Sequence, residues 1–403
     1  MTPNDFAKVL SFSRALIDIP SLSGDEEKVI KRCCQEAQLT GMENTVDAMG
    51  NFVGTVQVGD GSGPTILLSG HVDTVNANAK RWSKDKSPFK SSVSQGRLYG
   101  RGASDMKASI AAMFYGAASC MTLSEEFSGK VHIVAGPMEE QLEAICLSQA
   151  LEDLRPDYVI IGEPSSNTVA IAQRGRAEVV IKVKGRSVHA SIGKSTVNPI
   201  EQAGLIISAL NEWDSPEKDD LLGERSLVAT DIVIPVGGGA GLDGRGGNST
   251  VPHLVEITYD LRTIPGDTEE SILALIGKNL RGVIPTDNYE LSYRQVKCKN
   301  WNGVDIDSPS FIPAWRSEKD GELVEKALAG LKRNGKKCET SVYHFCTDGS
   351  AVVKWRKTKT CQIIGYGPSN AKLLHIDDEY IELRELEQAY EGFYAILTEL
   401  LRK

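Results

Sequence analysis

Histidine is scarce in this sequence: six in 403 residues, at positions 71, 132, 189, 253, 344 and 375. An imidazole-based site must therefore be drawn from few places and completed by other residue types. There are eight cysteines, at 33, 34, 120, 146, 298, 338, 346 and 361, and no two have C-x-x-C spacing. That argues against a zinc ribbon or a disulfide framework and predicts reduced core thiols. No run approaches the roughly 18 apolar residues of a membrane span, so no membrane partner is expected. Basic residues are not in excess: 45 Lys and Arg face 54 Asp and Glu, a formal charge of −9. Nucleic acid and anionic membrane are thereby disfavoured as partners. The N-terminal stretch lacks a basic region followed by an apolar one. No signal peptide is expected, and a cytoplasmic location is.

What is present is ordinary for a globular protein: 41% hydrophobic and 25% charged residues. The length suggests two domains. Residues 5–18 and 25–39 have helical spacing, with Ser23 or Asp25 as candidate caps of the second helix. Phe52–Val58 and Thr65–Ser69 read as strands, the latter apolar enough to be buried on both faces. A polar stretch, 76–96, reads as a loop. Helices over Ser104–Met121 and Glu140–Leu151 then alternate with strands Lys130–Ala135 and Tyr158–Ile161, the order of a three-layer α/β domain. Near Gly175 the texture changes. Strand Ala177–Val183, helix Pro199–Trp213, strands Ser226–Pro235 and Leu254–Leu261 and helix Glu269–Leu280 suggest a small α+β sandwich with one open sheet face. The α/β texture returns with helix Asp320–Lys332, strands Glu339–Tyr343 and Thr360–Ile364, and helix Glu382–Leu401. The expected architecture is an α/β catalytic domain with a mixed sheet, residues 1–174 and 296–403, interrupted by an α+β sandwich at 175–295.

One glycine-rich loop, 237–247, contains a match to G-x-G-x-x-G. A dinucleotide site needs those glycines between a strand and a helix. Here a strand follows, so a connection between strands is the better reading.

Five segments carry chemistry, and each has a plainer reading. Ser69-Gly70-His71-Val72-Asp73 ends the buried strand, where α/β proteins place sites. Asp73 could fix the tautomer of His71, though His-x-Asp is common. Asp105 sits where a glycine-flanked turn meets a helix, which alone suggests an N-cap. Glu139 and Glu140 follow a strand. Two adjacent carboxylates there are costly to bury without cations, and one can bind metal while the other serves as general base. The plainer reading is a solvated helix start. Glu163 follows another apolar strand, and His375 precedes the last helix; ordinary polar loops explain either. Taken together, two histidines and three acids at strand ends suit zinc, with cobalt or manganese as substitutes.

These segments resemble the co-catalytic zinc amidohydrolases that include acetylornithine deacetylase, succinyl-diaminopimelate desuccinylase, aminoacylase and glutamate carboxypeptidase. SGHVDTV, LYGRGASDMK, the Glu139–Glu140 pair, GEP and H-x-x-D-E-Y occur in that family's order, over nearly the whole chain. The resemblance implies two zinc ions per subunit on His71, Asp105, Glu140, Glu163 and His375, with Asp105 bridging. It makes Asp73 the orienter of His71 and Glu139 the general base. The inserted domain would be a lid and dimerisation domain, making a homodimer in which His189 reaches the partner's site and stabilises an oxyanion. Asn248, Arg262, Thr347 and Gly349 would contact substrate. The implied reaction is hydrolysis of an amide or peptide bond in a small N-acyl amino acid or dipeptide-like molecule.

There are departures. Ala108-Ser109 stands where many relatives have Gly-Gly, and Ser350 lies where several have a carboxylate-anchoring arginine. The second argues against diaminopimelate-type and simple acyl-amino-acid substrates. Lys297–Trp315 looks closest to poorly characterised hydrolases of the same family. Two alternatives stand beside this reading: a non-catalytic dimeric interaction module, and a single-metal hydrolase of a non-peptide C–N bond.

Overall fold

Apolar runs too short for helices and too continuous for a one-sided sheet, such as 66–68 and 158–161, require a sheet covered on both faces. The computed structural model supplies one. It describes residues 3–213, 215, 217–239, 249–356 and 361–403. They fall into two units: Met1–Gln173 with Cys298–Ile306 and Trp315–Lys403, and Arg174–Lys297 with Asp307–Ala314.

In chain order the strands that matter are β1 (Glu43–Val46), β2 (Phe52–Val58), β3 (Thr65–His71), β4 (Gly129–Gly136), β5 (Tyr158–Ile161), β6 (Val169–Gln173), β7 (Gly175–Lys184), β8 (Ser226–Val233), β9 (Leu254–Thr263), β10 (Tyr289–Tyr293), β11 (Trp315–Arg316), β12 (Thr340–Tyr343) and β13 (Gln362–Gly365). The helices are α1 (Pro3–Ile17), α2 (Glu27–Thr40), α3 (Lys107–Ala118), α4 (Ile145–Leu154), α5 (Pro199–Asn211), α6 (Glu269–Asn279), α7 (Glu322–Arg333), α8 (Ser350–Trp355) and α9 (Leu383–Leu400).

The first unit is a three-layer α/β domain. Its nine-stranded mixed sheet runs β1-β2-β4-β3-β5-β13-β6-β11, with β12 also pairing β6. The central strands β4, β3, β5 and β13 are mutually parallel, so their C-terminal ends share one edge. Alternate residues serve the two faces. Ile66 and Leu68 pack with α1, α2, α3, α7 and α9, whereas Leu67 packs with α4 and α8. The second unit is an antiparallel sheet, β8-β9-β7-β10, with Phe311–Ile312 also on β7. Val179, Ile181 and Val183 of β7 turn inward onto Ile206 of α5 and Ile272 and Ile276 of α6. The alternating Glu178 and Lys182 face outward. No described helix is long and apolar enough to cross a membrane.

Several expectations are corrected. Residues 307–314 fall in the second unit because Phe311 and Ile312 extend its sheet. Neither Ser23 nor Asp25 caps α2, which starts after Glu26 without a side-chain cap. Ser23 Oγ instead donates to Asp73 Oδ2 at 2.7 Å. The expected helices at 104 and 140 begin only at Lys107 and Ile145, because the residues before them form the turns that carry the acids. The 76–96 loop includes a short strand, Ser92–Ser94, paired with Arg97–Tyr99. All eight cysteines are free; five are buried, but Cys34 and Cys298 are half-buried and Cys338 is exposed rather than core. Most of the glycine-rich loop, from 240, lies outside the described residues.

Candidate metal centre

Three of the five expected ligands, His71, Glu140 and Glu163, sit at or just beyond the common edge of the parallel strands. His71 is the last residue of β3, and Glu139–Glu140 and Glu163 follow β4 and β5. Asp105 ends the turn before α3, where the Asp105–Met106 peptide is cis. The structure brings these side chains together, although they are spread over 305 residues of sequence from His71 to His375. Asp105 lies between the two histidines: Oδ1 is 3.0 Å from His71 Nε2, and Oδ2 is 3.2 Å from His375 Nε2. Glu140 Oε2 is 3.0 Å from His375 Nε2, and Glu163 Oε1 is 3.5 Å from His71 Nε2. Glu139 Oε2 stands farther off, at 3.9 Å from the same nitrogen. Ligand atoms of His71, Asp105 and Glu140 lie within 4.8 Å of one another, and so do those of His71, Glu139 and Glu163.

The charge balance is lopsided. His71, Asp105, Glu139 and Glu163 are buried, and so are the nearby Asp73 and Asp348. Burial drives Glu139 and Glu163 well above the usual carboxylate range, with only His71 pulling them back. Burial alone would lower His71, but Glu139, Asp105, Asp73 and Glu163 hold it well above its ordinary value. Hydrogen bonds to Asp105 and Glu140 raise His375 to about 10. Such a cluster needs positive charge. Imidazole nitrogens with carboxylate oxygens are the donors divalent zinc takes, and tetrahedral ligand bonds of ~2.1 Å would separate neighbouring donors by roughly 3.4 Å. The N···O separations of 3.0–3.5 Å around the two histidines fit that spacing.

The surroundings hold these groups still. His71 Nδ1 lies 3.0 Å from the Asp73 carbonyl oxygen and 3.4 Å from Asp73 Oδ1, so Asp73 fixes the ring through both groups. The Asp73 carboxylate also accepts from the amides of Glu139 and Glu140, each at 3.1 Å. Three acids that were not singled out from the sequence stand behind the cluster. Glu379 Oε1 accepts from the amides of Gly102, Ser104 and Asp105 at 3.1, 2.8 and 3.1 Å. Its Oε2 accepts from Arg101 at 2.5 Å, and Arg101 also reaches the His375 carbonyl at 3.4 Å. Asp105 and His375 are thus tied to one carboxylate. Glu26 accepts from the Met138 amide and Asp348 from the Ala144 amide. Lys107 is fully buried and pushed down to about 7 by desolvation; it donates to the Leu16 and Ile19 carbonyls. The H-x-x-D-E-Y segment contains Glu379, and the Cys346–Ser350 turn contains Asp348. Glu26, between two acids at a helix start, gave no signal.

His189 and Arg262 belong to the second unit. His189 is exposed, and its Nδ1 accepts from the Ser191 amide at 3.2 Å. Arg262, on β9, is held by Asp260 at 2.8 Å. Asn248 lies outside the described residues. Thr347 and Gly349 are both buried. Thr347 is fully buried with its hydroxyl on Gln173, and it accepts from the Gly349 amide at 3.0 Å. A Cβ at Gly349 would lie 2.6 Å from Trp315 Nε1.

Residues 67–399 match the model of a family described as Peptidase family M20/M25/M40. Among curated relatives, the Escherichia coli K12 protein YgeY is 27% identical over 93% of this chain and 89% of its own length. An acetylornithine deacetylase of Klebsiella pneumoniae is also 27% identical, over 96% of each chain. Among solved structures, a metallo-carboxypeptidase of the M20 family from Sulfolobus solfataricus superposes with a TM-score of 0.73 at 15% identity, over 98% of this chain and 99% of its own. A dinuclear metal-binding peptidase of that family from Bacillus subtilis superposes with a TM-score of 0.68 at 15% identity, over 99% of each.

Proposed function

The chain belongs to peptidase family M20/M25/M40, a family of metal-dependent hydrolases, and from that premise we propose that it cleaves an amide or peptide bond in a small N-acyl amino acid or dipeptide-like substrate. The observation that carries the proposal is Asp105, buried with one oxygen toward each of two histidines. His71, Asp105 and Glu163 would hold one divalent cation, and Asp105, Glu140 and His375 a second. Zinc fits this donor set, with cobalt or manganese as substitutes. When bound, such ions supply Lewis acidity that polarises a carbonyl and makes water a nucleophile near neutral pH.

The protein's own residues do the rest. Asp73 keeps the His71 ring in one orientation. Glu139, set back from His71 at 3.9 Å, is the general base: it takes the proton of the attacking water and returns it to the departing amine. His189 is proposed to donate to the oxyanion in a partner subunit's site. Its Nδ1 accepts from the Ser191 amide, so in the neutral ring Nε2 carries the proton and is the donor. Homodimerisation through the second unit is part of the same proposal. It is supported by β8, an edge strand with exposed Val228 and Ile232.

The test is a panel of dipeptides and N-acyl amino acids against protein loaded with zinc, cobalt or manganese, and against chelated protein. Turnover is expected only with metal, rising until two ions are bound. Saturation at one ion would favour a single-metal hydrolase. Metal binding with no turnover of any member would sink the proposal.

A further inference from the structure

The turn that presents Glu139 and Glu140 is bounded by two residues in the left-handed region, Met138 at φ 70° and Ala144 at φ 74°. Neither is glycine, nor has the short polar side chain that eases this conformation. Ala144 also occupies the N-cap of α4 and offers no capping group. The amide of each is taken by a buried carboxylate from far away in the sequence. Met138 donates to Glu26 Oε1 at 3.0 Å, across 112 residues, and Ala144 to Asp348 Oδ1 at 2.7 Å, across 204. Between them, Glu139 and Glu140 donate to Asp73. Four amides of one short turn thus end on three carboxylates, all buried. A strained backbone persists only where its surroundings over-determine it, and that is the situation here. Glu26 shows the same specialisation. Its second oxygen, Oε2, is buried without a hydrogen-bond partner among the described residues, an expense that a purely structural residue would avoid.

We infer that Glu26 and Asp348 are positioning residues for hydrolysis: they clamp the two ends of the Met138–Ala144 turn so that Glu139 is held at its working distance and Glu140 faces His375. The inference rests on Glu139 being the general base. Neither residue is assigned contact with substrate. They act through the turn, as groups that hold a reacting side chain within a fraction of an ångström do.

The test uses the full-length protein, both zinc-loaded and chelated, with hydrogen exchange as a readout independent of activity. Glu26→Ala and Asp348→Ala should speed amide exchange within 138–144 by about tenfold or more and leave the central strands unchanged. On the best substrate of the panel they should lower kcat by roughly 30-fold or more, with KM within about threefold. Glu26→Gln and Asp348→Asn keep an acceptor oxygen and should recover most of both. Unchanged exchange at 138–144 in the alanine variants overturns the inference. Faster exchange across the whole domain, with kcat and Tm falling together, also overturns it, because that is a structural role only. If the alanine proteins do not fold, Glu26→Asp decides: wild-type exchange and kcat with the shortened side chain would refute the clamp. If the wild type hydrolyses nothing, the proposed activity fails while the exchange experiment still decides the clamp.

Discussion

Glu139 faces opposed demands. A general base must be ionised, yet burial and the neighbouring Glu163 and Asp348 favour its protonated form. Divalent cations among the adjacent ligands remove that conflict. Glu139→Gln is therefore expected to bind cations with wild-type stoichiometry by calorimetry and to lose about 10³-fold in kcat, within the range for general-base removal. Wild-type turnover would remove Glu139 from the mechanism. His132 is the contrasting histidine. It lies on β4, 7% exposed, with Nδ1 2.9 Å from Thr55 Oγ1. Burial, aided by Lys130, lowers it from 6.5 to about 4. Between those values the unfolded chain binds a proton that the folded chain refuses, so stability rises with pH across the window and is lost as pH falls from 6.5 to 4. The loss is roughly 3 kcal/mol at most. His132→Gln should flatten this part of the pH profile in urea titrations; an unchanged slope would assign it elsewhere. Residue type at strand ends made His71, Asp105, Glu140, Glu163 and His375 visible as candidates. Glu26 and Asp348 were not, because an acid's partner amides 112 or 204 residues away leave no local pattern.

Among elements, the parallel strands matter most, since their shared edge sets where the ligands stand. Their apolar runs were legible because a strand buried on both faces shows in its composition. The helix starts were less so, since acids that look like first-turn residues belong to irregular turns. The turn after β5 shows how tightly these loops fit. Gly367 accepts from the amides of Ser165 and Asn167, and its own amide donates to Ser165 Oγ at 3.0 Å. A Cβ at Gly367 would lie 2.3 Å from the Gly162 carbonyl oxygen and 2.5 Å from that of Glu163. Backbone atoms cannot move aside as a flexible side chain can. Gly367→Ala should cost about 2–4 kcal/mol in stability and, by shifting Glu163, about tenfold or more in cation affinity. Denaturant melts and metal titration would show both. Wild-type affinity in a folded variant would mean that this turn does not govern Glu163.

For the whole molecule, β8 is an edge strand of the second unit's sheet. Val228 and Ile232 of β8 are 56% and 52% exposed, as are Ile200 and Leu205 of α5 at 50% and 53%. An apolar edge strand left bare invites pairing with another chain. If that partner is a second copy, Val228→Lys with Ile232→Glu should yield a monomer in sedimentation experiments. Its turnover should also fall if His189 acts across the dimer. A wild-type protein that is monomeric at micromolar concentration would end the proposal.

The sequence by itself determined the α/β layering, the ligand types available and, through its motifs, the family. Those are carried by hydrophobic period and residue identity, which are local. It also nominated His71-Val72-Asp73, Asp105, the Glu139–Glu140 pair, Glu163 and His375. Only the tertiary structure decided that one oxygen of Asp105 faces each histidine, and that the buried Thr347 hydroxyl donates to Gln173. Only the tertiary structure decided, too, that Glu26, Asp348 and Glu379 stand behind the site. A buried carboxylate is placed by the amides that receive it, and those amides come from segments that meet only after the sheet has formed.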